Sequence, residues 1–546
     1  MHAKLLYTMI TRETAKKVGR RLLNNIWFHL VANTAFFCLM VALLPFFFET
    51  DDDSTMCLIA NGVLSGKPDG HLVFINALYG WVVAGLYMIS RSVEWYTLLM
   101  SGWQILAMTI VSYLISKDQS MHRWLRAGVL TVFYVLWVKL IVLFQFTSTS
   151  GLLAFSGCLA LLQKDTRWRI AGVVAIAIAS LLRFESAVLI GILFAPYLIY
   201  RWNQEKRLGY WLIGVTILCV GLRAADTLCY QSQEWKEYRV FNIIRGRIND
   251  NPNSALMTQE LLPEGISIED YEMFRLFEGD PSIFTLPVVR EIYRNMGHAM
   301  TMQQIGYNVT HLPDYWKPFI VFCIGMILII STHKVKKMRI VAGCMLALYV
   351  GIWYTMGALA LIKERVVLCM AMPMLYMTFY GNAHLLEEDL SDSKKKWVAV
   401  ALSVMLLVVA WSWGAHTQRQ VSGRQETMEE HAAYINQAID ATVQNEPEAQ
   451  LYMLYVPGIY ESPWRFKDAT YRAVGLGWLT GIPFQKGVLD SFDDFLNSKL
   501  RYLCSVEQPP QHILESIQRN YDPNARMVVE YENEKYAVFK FVSDEQ

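Results

Sequence analysis

Eleven apolar stretches of roughly bilayer-spanning length run through this 546-residue chain, and they constrain its fold more than any other feature. A membrane span takes about 20 apolar residues. The stretches fall near 26–48, 95–115, 125–145, 147–163, 169–182, 184–200, 209–226, 316–332, 338–356, 365–382 and 396–414. Only 18% of the residues are charged and 54% are hydrophobic, where a soluble domain carries about 25% charged residues. Hydrocarbon offers no water to a bare N–H or C=O, so such stretches must form helices. The expected fold is mainly α: a polytopic membrane helix bundle of about 11 spans. A further apolar segment, 73–89, is short and contains Asn76, Gly80 and Gly85.

Whether 73–89 crosses decides the sidedness of everything after it, and basic residues decide that. Cytoplasmic loops carry an excess of Lys and Arg. If 73–89 does not cross, the connections 117–126, 164–169, 201–207, 334–339 and 394–396 lie inside and hold sixteen Lys and Arg. The short outer connections then hold four, Arg91, Arg183, Lys363 and Arg365. The arm 1–25, with Lys4, Arg12, Lys16, Lys17, Arg20 and Arg21, is inside on the same assignment. A crossing by 73–89 would invert the bias against that arm. The segment is therefore expected to lie along the outer face, with the N-terminus cytoplasmic and the C-terminus extracytoplasmic. No small-x-small site follows the first apolar run, which reads as a retained signal anchor.

The chain divides into a cytoplasmic arm (1–25), a transmembrane domain (26–414) with outer loops 49–94 and 227–315, and an extracytoplasmic domain (415–546). The last reads as a small α/β unit. It has a helix over 425–445, strands 451–456 and 501–506, and a hairpin of 527–531 with 536–542. A net charge of +1 gives no cause to expect a nucleic-acid partner. The nine cysteines show neither paired spacing nor a C-x-x-C motif, so no disulfide framework or zinc site is implied.

Where the first span ends, Glu49-Thr50-Asp51-Asp52-Asp53 places four carboxylates at the membrane edge. Basic side chains from distant parts of the chain fall at the same face: Lys139, Arg183, Arg223 and the pair Lys363 and Arg365. Lys139 lies roughly 9 Å inside its span at 1.5 Å per residue, where an ionisable group is expensive. Arg183 and Glu185 are two residues apart, a spacing that on one helix points them to different sides. Carboxylates beside several cations suit chemistry on a phosphate leaving group: the cations meet the phosphate charge and a carboxylate takes a hydroxyl proton.

At this point the chain resembles the C-type (GT-C) glycosyltransferase superfamily, multispan enzymes that take sugars from polyprenyl-phosphate carriers. The resemblance rests on the acidic residues Glu49 to Asp53 just after the first span, the membrane-lying segment behind them, and the terminal outer domain. The run Asp52-Asp53-Ser54-Thr55-Met56, then Gly62, Gly66-Lys67-Pro68-Asp69 and His71-Leu72-Val73-Phe74-Ile75-Asn76, looks like bacterial membrane proteins associated with surface polysaccharides. What the resemblance implies is an inverting transfer of sugar from the carrier to an acceptor hydroxyl of a saccharide, lipid or protein. Asp52 is the first choice of base, Asp53 the second, and Asp51 adjoins them. Arg365, Arg183 and Lys139, with Lys363 and Arg223, are the candidate phosphate ligands; Glu185 and His71 are the candidates to orient substrate. A divalent cation (Mg2+ or Mn2+) on the three aspartates is left open. The alternatives are a flippase or transporter for lipid-linked saccharides, or a polymerase component.

Overall fold

The computed structural model describes residues 22–297, 301–310, 313–359, 362–386, 392–422, 425–453, 471–497 and 499–543. The arm up to residue 21 and the far half of the expected strand 451–456 lie outside the described residues. In chain order the helices begin with α1 (Ile26–Leu43), α2 (Asp51–Ala60), α3 (Ala77–Ile89), α4 (Trp95–Lys117) and α5 (Arg123–Val142). Next come α6 (Phe146–Leu161), α7 (Thr166–Leu182), α8 (Phe184–Gln204), α9 (Lys206–Cys229) and α10 (Gln233–Asn249). The second long loop adds α11 (Ile268–Arg275), α12 (Leu286–Asn295) and α13 (Met302–Thr310). The bundle closes with α14 (Pro313–Thr332), α15 (Lys336–Ala358), α16 (Glu364–Asn382) and α17 (Asp392–Ser422).

Each of the eleven apolar stretches is thus a helix. Among the described residues nine are long and apolar enough to cross a membrane: α1, α4, α5, α8, α9, α14, α15, α16 and α17. The remaining two, α6 and α7, have 16 and 17 residues. At 1.5 Å per residue α6 is about 24 Å long, short of a hydrocarbon core of about 30 Å. All its residues are buried, and beside four Leu it carries three Ser, two Thr and two Gly, small side chains that suit close packing on every face. It is the hub of the bundle. Its close contact with α7 depends on Gly157 and Gly172: a Cβ on either would come within 3.0 Å of the other's carbonyl oxygen. Small residues permit that approach where lipid supplies no hydrophobic drive.

The segment 73–89 contributes α3, whose 13 residues span only about 20 Å. Ala77, Gly80, Val83, Ala84 and Tyr87 are buried, whereas Trp81, Val82, Met88 and Ile89 are exposed. That one-sidedness suits a helix lying against a bundle. Its start is pinned by three bonds: Asn76 N–H to the Leu181 carbonyl (2.9 Å), Asn76 Nδ2 to the Leu222 carbonyl (2.9 Å), and Ala77 N–H to Asp226 Oδ1 (2.9 Å).

The C-terminal unit holds α18 (Gln425–Asn445), the short α19 (Asp494–Asn497) and α20 (Gln511–Asn520). After the two-residue strands β1 (Phe47–Phe48) and β2 (Leu143–Phe144) of the bundle, its own strands are β3 (Gln450–Tyr452), β4 (Arg472–Val474), β5 (Leu500–Ser505), β6 (Arg526–Glu532) and β7 (Tyr536–Val542). They form one sheet in the order β4-β3-β5-β7-β6, parallel around β3 and antiparallel around β7. Strand β4 and helix α20 were not expected from sequence; β4 has three residues, too few to show an alternation.

Three buried carboxylates of the loop 227–315 fasten this unit. Glu278 accepts from Tyr502 Oη (2.6 Å) and meets His512 Nε2 (2.6 Å). Asp280 accepts from the Phe492 N–H (3.1 Å) and Tyr521 Oη (2.7 Å), and Asp270 from Arg519 and Ser516. The unit also reaches the first loop, where Ala473 N–H donates to the Val63 carbonyl (3.1 Å).

Candidate active site

The first loop is held to the bundle by a two-rung parallel ladder. Phe47 pairs with Leu143 and Phe48 with Phe144, and Glu49 N–H extends it to the Phe144 carbonyl at 3.0 Å. The ladder ends at Thr50, whose backbone is extended, and α2 begins at Asp51. Three aspartates then fill the first helical turn, where the unpaired N–H groups favour negative charge.

Successive helical residues lie about 100° apart, so the three carboxylates part company. Asp51 is exposed. Asp53 is fully buried: its Oδ1 accepts from Tyr96 Oη (2.7 Å) and from the Phe146 N–H at the start of α6 (3.1 Å), while its buried Oδ2 has no hydrogen-bond partner. Burial pushes its pKa well above the usual carboxylate range, more than those two donors pull it down. A fully buried carboxyl that accepts from α4 and α6 and so fastens α2 to both is a structural anchor, and Asp53 leaves the list of candidate bases.

Asp52 lies between these extremes, with a side chain 22% exposed. Burial, then the neighbouring Asp51, raises its pKa to about 6, against the pull of Arg365, Arg183 and Arg245. Arg365 Nη2 stands 4.0 Å from Asp52 Oδ2. The three guanidinium groups come from three separate segments: the start of α16, the α7–α8 junction and α10. A base works best with a pKa near the working pH, and Asp52 is shifted that way.

Arg245 was not foreseen. It is buried in α10 on the stripe Tyr238, Phe241, Arg245, Ile248, where core residues belong. Its partners are the amide oxygens of Asn242 (2.8 Å) and Asn249 (3.2 Å), and among the described residues no carboxylate lies within 4.0 Å of it. An arginine on the apolar stripe of a loop helix was the available signal. Backbone strain adjoins the site as well. Val73 (φ 67°) and Phe277 (φ 71°) are the non-glycine residues with left-handed backbone among those described. Arg183 donates to the carbonyl of Phe74, next to Val73, at 3.2 Å. Arg245 lies 5.7 Å from the centre of the Phe277 ring. Such strain persists only where surrounding structure holds it, often at functional sites.

The remaining candidates are placed differently from the expectation. Lys363, Glu364 and Arg365 fan out from one helix start: Lys363 to Asp250 (3.4 Å), Arg365 to Asp52, and Glu364 inward. Glu364 forms an ion pair with Lys139, whose side chain is fully buried. Lys139 also meets His416 Nδ1 (2.6 Å) and Gln420 Oε1 (3.3 Å), and Glu364 accepts from Tyr315 and from Gln420 (3.0 Å). Lys139 is therefore saturated inside the bundle and does not face a phosphate, because an acid 225 positions downstream, invisible to local reading, meets it.

Arg223 holds Asp226 (2.8 Å) and Glu185 (3.7 Å), and Asp226 caps α3; its job is to seat that helix. Arg183 Nε does pair with Glu185, at 3.1 Å. The helical spacing argument fails there because Arg183 is a cap with extended backbone (φ −157°, ψ 101°), outside both helices. His71 is fully engaged: Asp69 at 2.7 Å, the Cys229 carbonyl at 3.3 Å, and a stack on Trp235 at 4.6 Å. It is structural and has no nitrogen left to orient a substrate.

The aspartates do not suit a divalent cation, since they diverge and Asp52 faces guanidinium groups. Among the described residues no group of three or more His, Cys, Asp or Glu side chains is arranged to hold one. No protein-family model, curated protein or solved structure matches the chain.

Proposed function

We propose that this multi-pass membrane protein is an inverting glycosyltransferase that moves a sugar from a polyprenyl-phosphate carrier to an acceptor hydroxyl. The observation that carries the proposal is Asp52, a partly exposed carboxylate with a raised pKa and arginines from three segments bearing on it. Asp52 takes the proton of the acceptor hydroxyl as its oxygen attacks the anomeric carbon. The bond from that carbon to the phosphate oxygen breaks, its electron pair leaves with polyprenyl phosphate, and Asp52 later returns the proton to water. Arg365, Arg183 and Arg245 offset the charge on the departing phosphate. On the basic-residue bias this happens at the outer face of a bacterial cell membrane, with the C-terminal unit outside, and serves cell-surface glycan. A flippase instead calls for open charged groups lining a path through the bundle, whereas Lys139 and Glu364 inside it are closed on each other and on Tyr315, His416 and Gln420.

The test is transfer from a polyprenyl-phosphate sugar by the purified protein in lipid. Asp52→Asn is expected to lower the rate about 10²- to 10⁴-fold, the usual worth of a general base, with membrane insertion and abundance intact. Full activity in that variant sinks the proposal.

A further inference from the structure

The far end of the same bundle, away from Asp52, holds a cavity. Helix α16 carries Arg365 at its start and Tyr380 near its end, about 22 Å further on at 1.5 Å per residue. Helices α4, α6 and α8 likewise run from the Asp52 end to this one. There a cavity of 480 Å³ opens, lined by the ends of α4, α6, α8 and α16 and the start of α7.

Three cations line it: Lys117, Lys164 and Arg201. Among the described residues none has a carboxylate within 4.0 Å. Lys117 donates to Tyr113 Oη (3.2 Å) and Arg201 to Tyr197 Oη (3.2 Å). The two acids that line the cavity are occupied within their own turns. Asp118 accepts from Ser120 N–H (2.9 Å) and Oγ (2.6 Å), and Asp165 caps α7 through the Arg167 N–H (2.9 Å). The neighbouring Arg169 shows the alternative: it is closed on Glu205 at 2.5 Å.

Lysines at a loop are ordinary, as they are solvated and follow the basic-residue bias. Arg201 is different. It is half-buried, its hydroxyl partner Tyr197 is 1% exposed, and Tyr376 and Tyr380, stacked at 5.2 Å, complete the wall. Tyr113 stacks on Trp168 at 5.1 Å across the cavity lining. A guanidinium fork in an aromatic pocket, with two ammonium groups at its mouth, has the donors and charge for a tetrahedral phosphoryl group. The volume is that of a small-ligand site.

We infer that this cavity binds a phosphoryl group, held by Arg201 with Lys117 and Lys164, separately from the Asp52 site. The inference does not depend on the transferase proposal. The phosphoryl group is either a lipid headgroup or a soluble phosphate. The test uses full-length protein in phosphatidylcholine nanodiscs. One arm adds phosphatidic acid and counts lipids retained by native mass spectrometry; the other measures radiolabelled inorganic phosphate by equilibrium dialysis.

Wild type is expected to bind in at least one arm. The triple variant Lys117→Ala/Lys164→Ala/Arg201→Ala is expected to lose about tenfold or more, the worth of a charge-assisted contact. Arg339→Ala, an exposed basic residue at the start of α15 outside both sites, is expected to bind as wild type, and Arg201→Lys to keep part of the binding, which shows that the pocket stays folded. Loss in the lipid arm alone assigns a headgroup; loss in the phosphate arm alone assigns a soluble phosphate. If the triple variant does not fold, Arg201→Gln alone carries the comparison. Wild type binding in neither arm, unchanged binding by the Arg201 and triple variants, or an equal loss caused by Arg339→Ala overturns the assignment.

Discussion

Two acid–base contacts sit on consecutive residues of α16 and have opposite characters. Glu364 meets Lys139 inside the bundle and is mostly buried, with Tyr315, Gln420 and His416 around it. Arg365 meets Asp52 at 4.0 Å, and both side chains stay more than a fifth exposed. About 100° of helix rotation separates the two. Saturation is what distinguishes them. A mostly buried ion pair held by three further side chains fixes the position of a helix, whereas a loose pair at a surface still has capacity for a substrate.

The largest effect is expected from opening the closed contact. Lys139→Met leaves Glu364 buried without its cation and is expected to cost about 3–5 kcal/mol, read as a lower unfolding temperature in detergent. Lys139→Met/Glu364→Met removes both charges and is expected to regain most of that. A single variant as stable as wild type contradicts the structural role. On the open side the order reverses. Arg365→Ala is expected to slow transfer about 10- to 100-fold, matching a charge-assisted contact of about 1.5–3 kcal/mol, with stability within about 0.5 kcal/mol. Equal losses of stability and transfer would merge the two contacts into one.

Asp53 tests the same contrast within the acidic run. Its acceptor oxygen is fully buried and its pKa is held up by burial, so it is expected to accept Asn, which keeps that acceptor, at a cost of about 1 kcal/mol, with transfer little changed. Asp53→Ala strips the Tyr96 hydroxyl and the Phe146 N–H of their acceptor and is expected to cost about 1–3 kcal/mol. Loss of transfer by a stable Asp53→Asn protein restores Asp53 as a base.

The helices of the bundle were legible because each carries its own apolar run, and α3 as a helix too short to cross because its run is short and broken by glycine. Helix α18 and the β6–β7 hairpin were legible for the same local reason. The site was legible only in part. Asp52 and Arg365 stood out as charges at a membrane edge, but the division of labour among Asp51, Asp52 and Asp53 depends on which face of α2 each occupies. The partner of Lys139 is 225 positions away, and nothing local announces it. Arg183 misled because its backbone leaves the helix at that one residue. Arg245 was passed over because it is surrounded by aromatic residues in a loop that read simply as folded.

The smallest effect concerns stability against pH at Asp52, and its sign separates a reactive carboxylate from a structural one. Its pKa is raised in the folded protein, to about 6 from 3.8, so the folded chain holds this proton more tightly than the unfolded chain. Below about pH 4 both states are protonated and ionisation of Asp52 costs nothing. Between about 4 and 6 the unfolded state ionises first and stability falls; above about 6 the full cost remains. Asp52→Asn is therefore expected to unfold about 1–2 °C higher than wild type at pH 7.5, with the gap closing towards pH 4. In wild type, transfer is expected to fall on the acid side as Asp52 protonates near pH 6. A carboxylate placed for stability gives the opposite result, with Asp52→Asn less stable at neutral pH, and that outcome would move Asp52 to the same side of the comparison as Glu364.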